Sequence, residues 1–476
     1  MAQSILVNSG IASAGRLVTL VLGLVATALI TRLLGAGAFG QYSFVATIGI
    51  FLQLVADFGL YLTASRELGR GEGRGMQFGH IMSLRGVFLL LVYGAGGMLF
   101  FTIPSLRPFF LLFMVFAAGF VMQSLSQLLM SVFQAYGVVW RATISDIAGR
   151  VVQVVLLLIF YERMFKGSAP TIAVAGAFSA GLLIACCMQF FLIPHKKLLI
   201  PYISPSAWKK IIRVSFPIGA LLVLNSIYFR IDTVMLVFFR TTQEVGWYAL
   251  AYRVVENTLF FPAMLGGLML PHISSAIQHK DHVQARGFIE QALLLSLSLA
   301  LPIVALLVFF ASPIVIAISG QAFSASGPIL AVLAWAAGIM FVGNILGFAL
   351  IALHRQRDLL TLYAVLVVGN VGANFVYIPQ YGAMGAAWVT VLTEGIATAV
   401  ASFLVYKHIP WRISALHMYR IIIAITIAIG AGLLLPASVP FAGRIVCICA
   451  VYVILGYTIG IWSQSTTSLL RSAKGV

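Results

Sequence analysis

Fourteen apolar segments, each long enough to cross a lipid bilayer, follow one another through this sequence with little chain left between them. The first six lie at about 11–33, 40–63, 86–103, 109–133, 144–161 and 171–193. A second six lie at about 214–239, 246–270, 287–311, 328–353, 359–378 and 383–406, and a final pair at about 420–437 and 445–462. Inside hydrocarbon every backbone N–H and C=O must be satisfied within the segment, so runs of this length predict helices. The composition agrees: 61% of the 476 residues are hydrophobic and 9% are charged, against roughly 25% charged in a soluble domain. Too little chain remains to build a cytosolic enzyme, a nucleic-acid-binding module or a receptor with a large ectodomain.

The expected fold is therefore an all-α polytopic membrane protein of about 14 transmembrane helices. A faint internal duplication organises them. Phe39-Gly40-Gln41-Tyr42 opens the second segment and Val245-Gly246-Trp247-Tyr248 opens the eighth; Ala175-Gly176-Ala177 in the sixth matches Met384-Gly385-Ala386 in the twelfth. Two six-helix repeats insert the same way up and are expected around a pseudo-two-fold axis along the membrane normal, with a cleft between them. The expected divisions are an N-terminal six-helix lobe at 1–193, a cytoplasmic linker at 194–212, a C-terminal six-helix lobe at 213–406 and a terminal helix pair at 407–476. Pro201, Pro205 and four lysines enrich the linker, which is expected to let one half rock against the other.

The formal charge of +17 would suggest a nucleic-acid partner on a soluble protein. On a polytopic one it marks cytoplasmic loops, which are enriched in Lys and Arg, and no nucleic acid is expected. With the N-terminus inside, nineteen basic residues, Arg85 and Arg141 among them, fall on the cytoplasmic side and six on the other. Both termini are thereby expected in the cytoplasm. The run of basic residues that opens a cleavable signal peptide is missing before the first segment, which is expected to stay as an anchor. Cys186, Cys187, Cys447 and Cys449 lie in apolar runs and suggest neither a disulfide framework nor a zinc site.

External loops are expected to be short, the longest at about 312–327 without a charge. They display no acid/base or metal-binding constellation, and no Gly-rich Lys-Ser/Thr phosphate loop occurs. Neither an enzyme nor a cofactor or metal site is expected; transport must draw on a gradient or a partner.

Charges inside the bilayer cost at least about 2.5–3.5 kcal/mol each, so they mark functional candidates. These are Arg16, Asp57, Asp146, Arg150, Arg230, Asp232, Arg253, Glu256 and Glu394. Asp146 and Arg150 are four apart and can neutralise each other on one helical face, as can Arg253 and Glu256, three apart. Arg230 and Asp232 point to different faces, so at least one needs a partner on another helix or in a cavity. Asp57 and Arg16 can also sit at the cytoplasmic interface, where Arg16 would snorkel. Amides and phenols, Asn225, Tyr228, Tyr252, Asn257, Gln123, Gln127, Asn370 and Asn374 among them, suit sugar hydroxyls or interhelical hydrogen bonds, and guanidinium forks suit phosphate.

The ordered succession of Thr31-Arg32-Leu33-Leu34-Gly35, Phe39-Gly40-Gln41-Tyr42-Ser43-Phe44 and Asp57-Phe58-Gly59-Leu60 resembles the opening of the polysaccharide-biosynthesis, O-antigen-type oligosaccharide flippases. These belong to the multidrug/oligosaccharidyl-lipid/polysaccharide exporter superfamily. Arg230-Ile231-Asp232, Val245-Gly246-Trp247-Tyr248-Ala249, Arg253, Leu270-Pro271, Ser319-Gly320-Gln321-Ala322-Phe323, Asn344 and Pro379-Gln380-Tyr381-Gly382-Ala383-Met384-Gly385-Ala386-Ala387 continue the likeness over nearly the whole chain. The peptidoglycan-precursor branch is less similar: its second helix is usually basic and Phe-rich, where this chain has Ala46-Thr47-Ile48-Gly49 and Asp57.

The resemblance implies a flippase that moves a polyprenyl-diphosphate-linked oligosaccharide, of the undecaprenyl type, from the cytoplasmic to the outer leaflet of a bacterial inner membrane by alternating access. It implies a cleft in which Arg16, Arg230 and Arg253 hold the diphosphate while Asn225, Tyr252 and Asn257 receive the sugar. Asp57, Asp232 or Glu256 would take up a proton or sodium ion to reset the cleft. Membrane lipids, and the polymerase and ligase of O-antigen, capsule or exopolysaccharide assembly, are the implied partners. The alternatives are a cation-coupled multidrug or toxin exporter, or a peptidoglycan-precursor flippase.

Overall fold

The computed structural model describes residues 2–69, 74–164, 171–436 and 438–461. Fifteen α-helices follow in chain order, with no strand among the described residues. They are α1 (Ala2–Asp57), α2 (Leu60–Gly69), α3 (Arg74–Thr102), α4 (Phe110–Ala135), α5 (Val139–Met164), α6 (Thr171–Leu192), α7 (Pro205–Phe239) and α8 (Thr242–Thr258). They continue as α9 (Phe260–Gln278), α10 (His282–Phe309), α11 (Ala311–Ser319), α12 (Ser326–Ala352), α13 (Gln356–His408), α14 (Ala415–Leu434) and α15 (Phe441–Thr458).

Twelve helical runs among the described residues are long and apolar enough to cross a membrane. Two of them are bent at a glycine with positive φ, α1 at Gly35 (67°) and α13 at Gly382 (58°), a backbone that residues with a Cβ rarely adopt. Divided at those bends, the twelve runs match the fourteen expected segments. The second expected segment, 40–63, is interrupted: α1 ends at Asp57, and Phe58 (φ 40°) and Gly59 (φ 80°) turn the chain into α2. The expected long external loop is helical instead, formed by α11 and a 3₁₀ turn at Gln321–Phe323.

The chain divides into two compact units, residues 1–246 with 318–322, and residues 247–317 with 323–476. In the first, Leu60, Phe78, Leu84, Leu128, Phe133 and Ala142 join α2–α5 in one apolar cluster. Segment 194–212 is fastened to α3 rather than hanging free. Tyr202 N–H donates to the Gly79 carbonyl (3.2 Å), Ser83 Oγ donates to the Tyr202 carbonyl (2.7 Å), and the Trp208 indole donates to Ser83 Oγ (3.1 Å). In the second unit, α9, α10, α12 and α13 pack through small and branched residues such as Ala285, Ala292, Ile345, Ala349 and Val405. A further cluster seats α14 and α15 on the end of α10. Large apolar side chains are exposed on many of the long helices, Leu90, Met98, Val368 and Phe403 among them; in a chain of this composition those faces meet lipid.

Candidate functional site

The first unit holds an open-sided cavity of about 520 Å³, within the size range of pockets for drug-sized ligands. Its walls come from stripes at helical spacing on otherwise apolar helices: Gln123 and Gln127 on α4, Asp146, Gly149, Arg150 and Gln153 on α5, and Phe178, Gly181, Ala185 and Gln189 on α6. Asp57, Tyr61 and Leu222 also line it. Spacings of three and four put each set on one face. At Gly149 and Gly181 the backbones of α5 and α6 touch, and a Cβ on either would land on the other's carbonyl oxygen. Only glycine at both positions allows that approach, which brings the polar residues of the two helices within bonding range.

The Gln189 amide nitrogen donates to Asp146 Oδ1 (2.9 Å), and Arg150 Nη1 donates to Gln153 Oε1 (2.8 Å). Asp146 and Arg150, expected to neutralise each other, interact electrostatically, and each also engages a glutamine. Behind the wall, Arg85 donates to Asp57 and also to the hydroxyl (2.8 Å) and carbonyl (3.1 Å) of Ser124. Asp57 also accepts from Tyr61 N–H across the break between α1 and α2 (3.1 Å). Arg85 has no exposed surface. The expectation that it belongs to a cytoplasmic loop is therefore corrected: it is a buried counter-ion on α3. Aromatic packing fixes the apolar wall, with Phe178 lying 5.5 Å from Phe116 and 5.6 Å from Phe120 by ring centroids.

Of the nine residues expected to bind substrate or a coupling ion, Asp57 lines this cavity. Asn225, Arg230 and Asp232 lie on α7 in the same unit, Asp232 buried and the other two half-buried; Leu222, one turn before Asn225, reaches the cavity wall. Tyr252, Arg253, Glu256 and Asn257 lie on α8 in the second unit. There Tyr252 is buried and stacked on Tyr248 (5.9 Å), Arg253 is exposed, and Glu256 and Asn257 are half-buried. The side chain of Arg16 lies outside the described residues. Gln153 and Gln189 were not among the expected candidates, although their places in the polar stripes of α5 and α6 carry the signal.

The second unit holds a buried polar network of its own. Asn374 donates to Asn370 Oδ1 (2.9 Å), Asn370 donates to Thr393 Oγ1 (3.3 Å), and the Tyr248 and Thr390 hydroxyls share a hydrogen bond (3.3 Å). Glu394 is buried on the same helix as the two threonines. No group of three or more His, Cys, Asp or Glu able to hold a metal ion occurs among the described residues.

Residues 5–277 match the model of a family described as polysaccharide biosynthesis protein. A curated protein of Haloferax volcanii, "Probable low-salt glycan biosynthesis flippase Agl15", is 25% identical over 173 residues, 36% of this chain. The match takes in only 37% of that relative's length. Among solved structures, "Lipid II flippase MurJ, inward closed conformation" superposes with a TM-score of 0.76 at 15% identity, covering 94% of this chain and 98% of that one. An inward-facing multidrug resistance MATE family transporter of the MOP superfamily gives 0.67 at 15% identity, covering 82% and 94%. At such identities the likeness is one of fold.

Proposed function

The chain belongs to the polysaccharide biosynthesis protein family, and from that premise we propose that it flips a polyprenyl-diphosphate-linked oligosaccharide from the cytoplasmic to the outer leaflet of a bacterial inner membrane. One observation carries the reading: a cavity of about 520 Å³, whose lining includes four glutamines, two aspartates and an arginine among apolar residues, lies in a bundle whose outer faces are apolar. A saccharide needs such a compartment to cross hydrocarbon, because an unpartnered hydroxyl costs several kcal/mol there and an unpaired charge far more. The fold shared with a flippase and with a transporter supports movement of a substrate rather than chemistry upon it.

The diphosphate carries about two negative charges at neutral pH and requires charge-assisted donors; Arg230 on α7 is our assignment for it. Asp232, buried two residues further along that helix, is our assignment for the proton or sodium ion that resets the transporter. Asp57 is given a structural role, because Arg85 already holds it.

The test is to delete the gene in its host and measure the leaflet on which lipid-linked oligosaccharide accumulates. Build-up on the cytoplasmic leaflet, reversed by the intact gene but not by Arg230→Ala at equal level, is expected. Build-up on the outer leaflet would place the lost step after flipping. No build-up would sink the proposal in favour of a drug exporter.

A further inference from the structure

Gln189 is 1% exposed, lines the cavity, and gives its amide nitrogen to Asp146, yet its Oε1 is buried without a hydrogen-bond partner. A buried amide oxygen left so costs about 1–3 kcal/mol, a cost that a hydrogen-bond donor entering the adjoining cavity would relieve. The surroundings narrow the choice. Gln123 and Gln127 present amides one turn apart on the facing α4, and an amide offers a donor and an acceptor side by side, the complement of neighbouring hydroxyls on a ring. Phe178, held by Phe116 and Phe120, supplies an apolar patch for the C–H face of such a ring.

Charge excludes the other half of the substrate. The lining carries two carboxylates, Asp57 and Asp146, against the one guanidinium of Arg150, and Arg85 offsets Asp57 from behind. A doubly negative diphosphate would face carboxylates without the excess of cationic donors it needs. We propose that this cavity is a subsite for an uncharged saccharide, with Gln189 Oε1 accepting from a sugar hydroxyl and Gln127 contacting the same ring, while the diphosphate stays outside. The inference rests on the flippase reading and assigns one part of its substrate to one part of the chain.

The experiment uses the purified full-length protein in detergent and saturation-transfer difference NMR. The probes are neutral methyl hexosides, methyl N-acetylhexosaminides and disaccharides of both, with glucuronic acid, inorganic diphosphate and sodium chloride as competitors. Neutral sugars are expected to receive saturation, and Gln127→Ala and Gln189→Leu each to weaken them about tenfold. The Gln127 side chain is exposed to the cavity, so its variant keeps the test valid if Gln189→Leu fails to fold. Displacement by diphosphate or by sodium overturns the subsite, as does the absence of transfer to any neutral sugar or transfer unchanged in both variants. If both variants flip lipid-linked oligosaccharide at the wild-type rate, the subsite falls and the flippase reading stands. Sugar binding by the intact protein without leaflet build-up in the deletion strain keeps the subsite and removes the flippase.

Discussion

Gly40 and Gly246 pack backbone to backbone in a reciprocal contact: a Cβ on Gly40 would land on the carbonyl oxygen of Thr242, and one on Gly246 on that of Ala36. Each glycine thus meets the residue four before the other, and the two belong to the matching motifs that open the second and eighth expected segments.

Because backbone rather than a flexible side chain occupies the space, Gly40→Ala and Gly246→Ala should each destabilise the protein by about 1–3 kcal/mol. Gly37, one turn from Gly40 on the same helix, has nothing within 4 Å of an added Cβ. Gly37→Ala should therefore be neutral or stabilising, by up to about 1 kcal/mol from helix propensity. Thermal unfolding of the three variants in one detergent checks both; equal midpoints for Gly40→Ala and Gly37→Ala would contradict the contact.

The Asp57–Arg85 pair makes a second prediction. Asp57→Asn strands a guanidinium that has no exposed surface, and removing one partner of a buried pair costs about 3–5 kcal/mol. Replacing both, as Asp57→Asn with Arg85→Met, should recover part of that loss. A double-mutant cycle on unfolding midpoints measures the coupling; additive losses would show that the two residues act independently.

In the second unit, Asn374 is fully buried and donates to Asn370. Asn374→Leu removes that donor and places an apolar group against the remaining amide, with an expected cost of about 1–3 kcal/mol. Thr426, exposed on α14, only bonds back to its own helix at Ile422. Thr426→Val should change the unfolding midpoint little, and a comparable drop in both variants would argue against a specific role for the asparagine network.

Topology gives a fourth prediction. With the expected orientation, Ser105 faces the outside and Lys280 the cytoplasm, and both are exposed. In a background lacking the four native cysteines, Ser105→Cys should react with an impermeant maleimide on intact cells and Lys280→Cys only after lysis. The reverse pattern would invert the whole assignment, because an even number of crossings separates cytoplasmic termini.

The positions of the helices were legible in the sequence because each segment answers alone to the bilayer: an apolar run of the right length closes its own hydrogen bonds. The order of the short motifs was legible too, and with it the family. The structure also joins two of these motifs across 288 residues: Thr31 donates to Ser319 (2.8 Å), and Arg32 donates to the Ile318 carbonyl (3.0 Å). What the sequence left open was partnership. Arg85 lies at the edge of an apolar run, where hydropathy cannot distinguish a loop charge from a buried counter-ion. Asp146 and Arg150 have the spacing of an interacting pair, and the touching glycines of α5 and α6 bring Gln189 within reach of Asp146 as well. Helix length and depth are local properties fixed by composition. The rotation of each helix and its distance from the next depend on how small residues on several chain-distant segments fit together, so only the tertiary structure decided that the glutamines, Asp57 and Asp146 share one cavity.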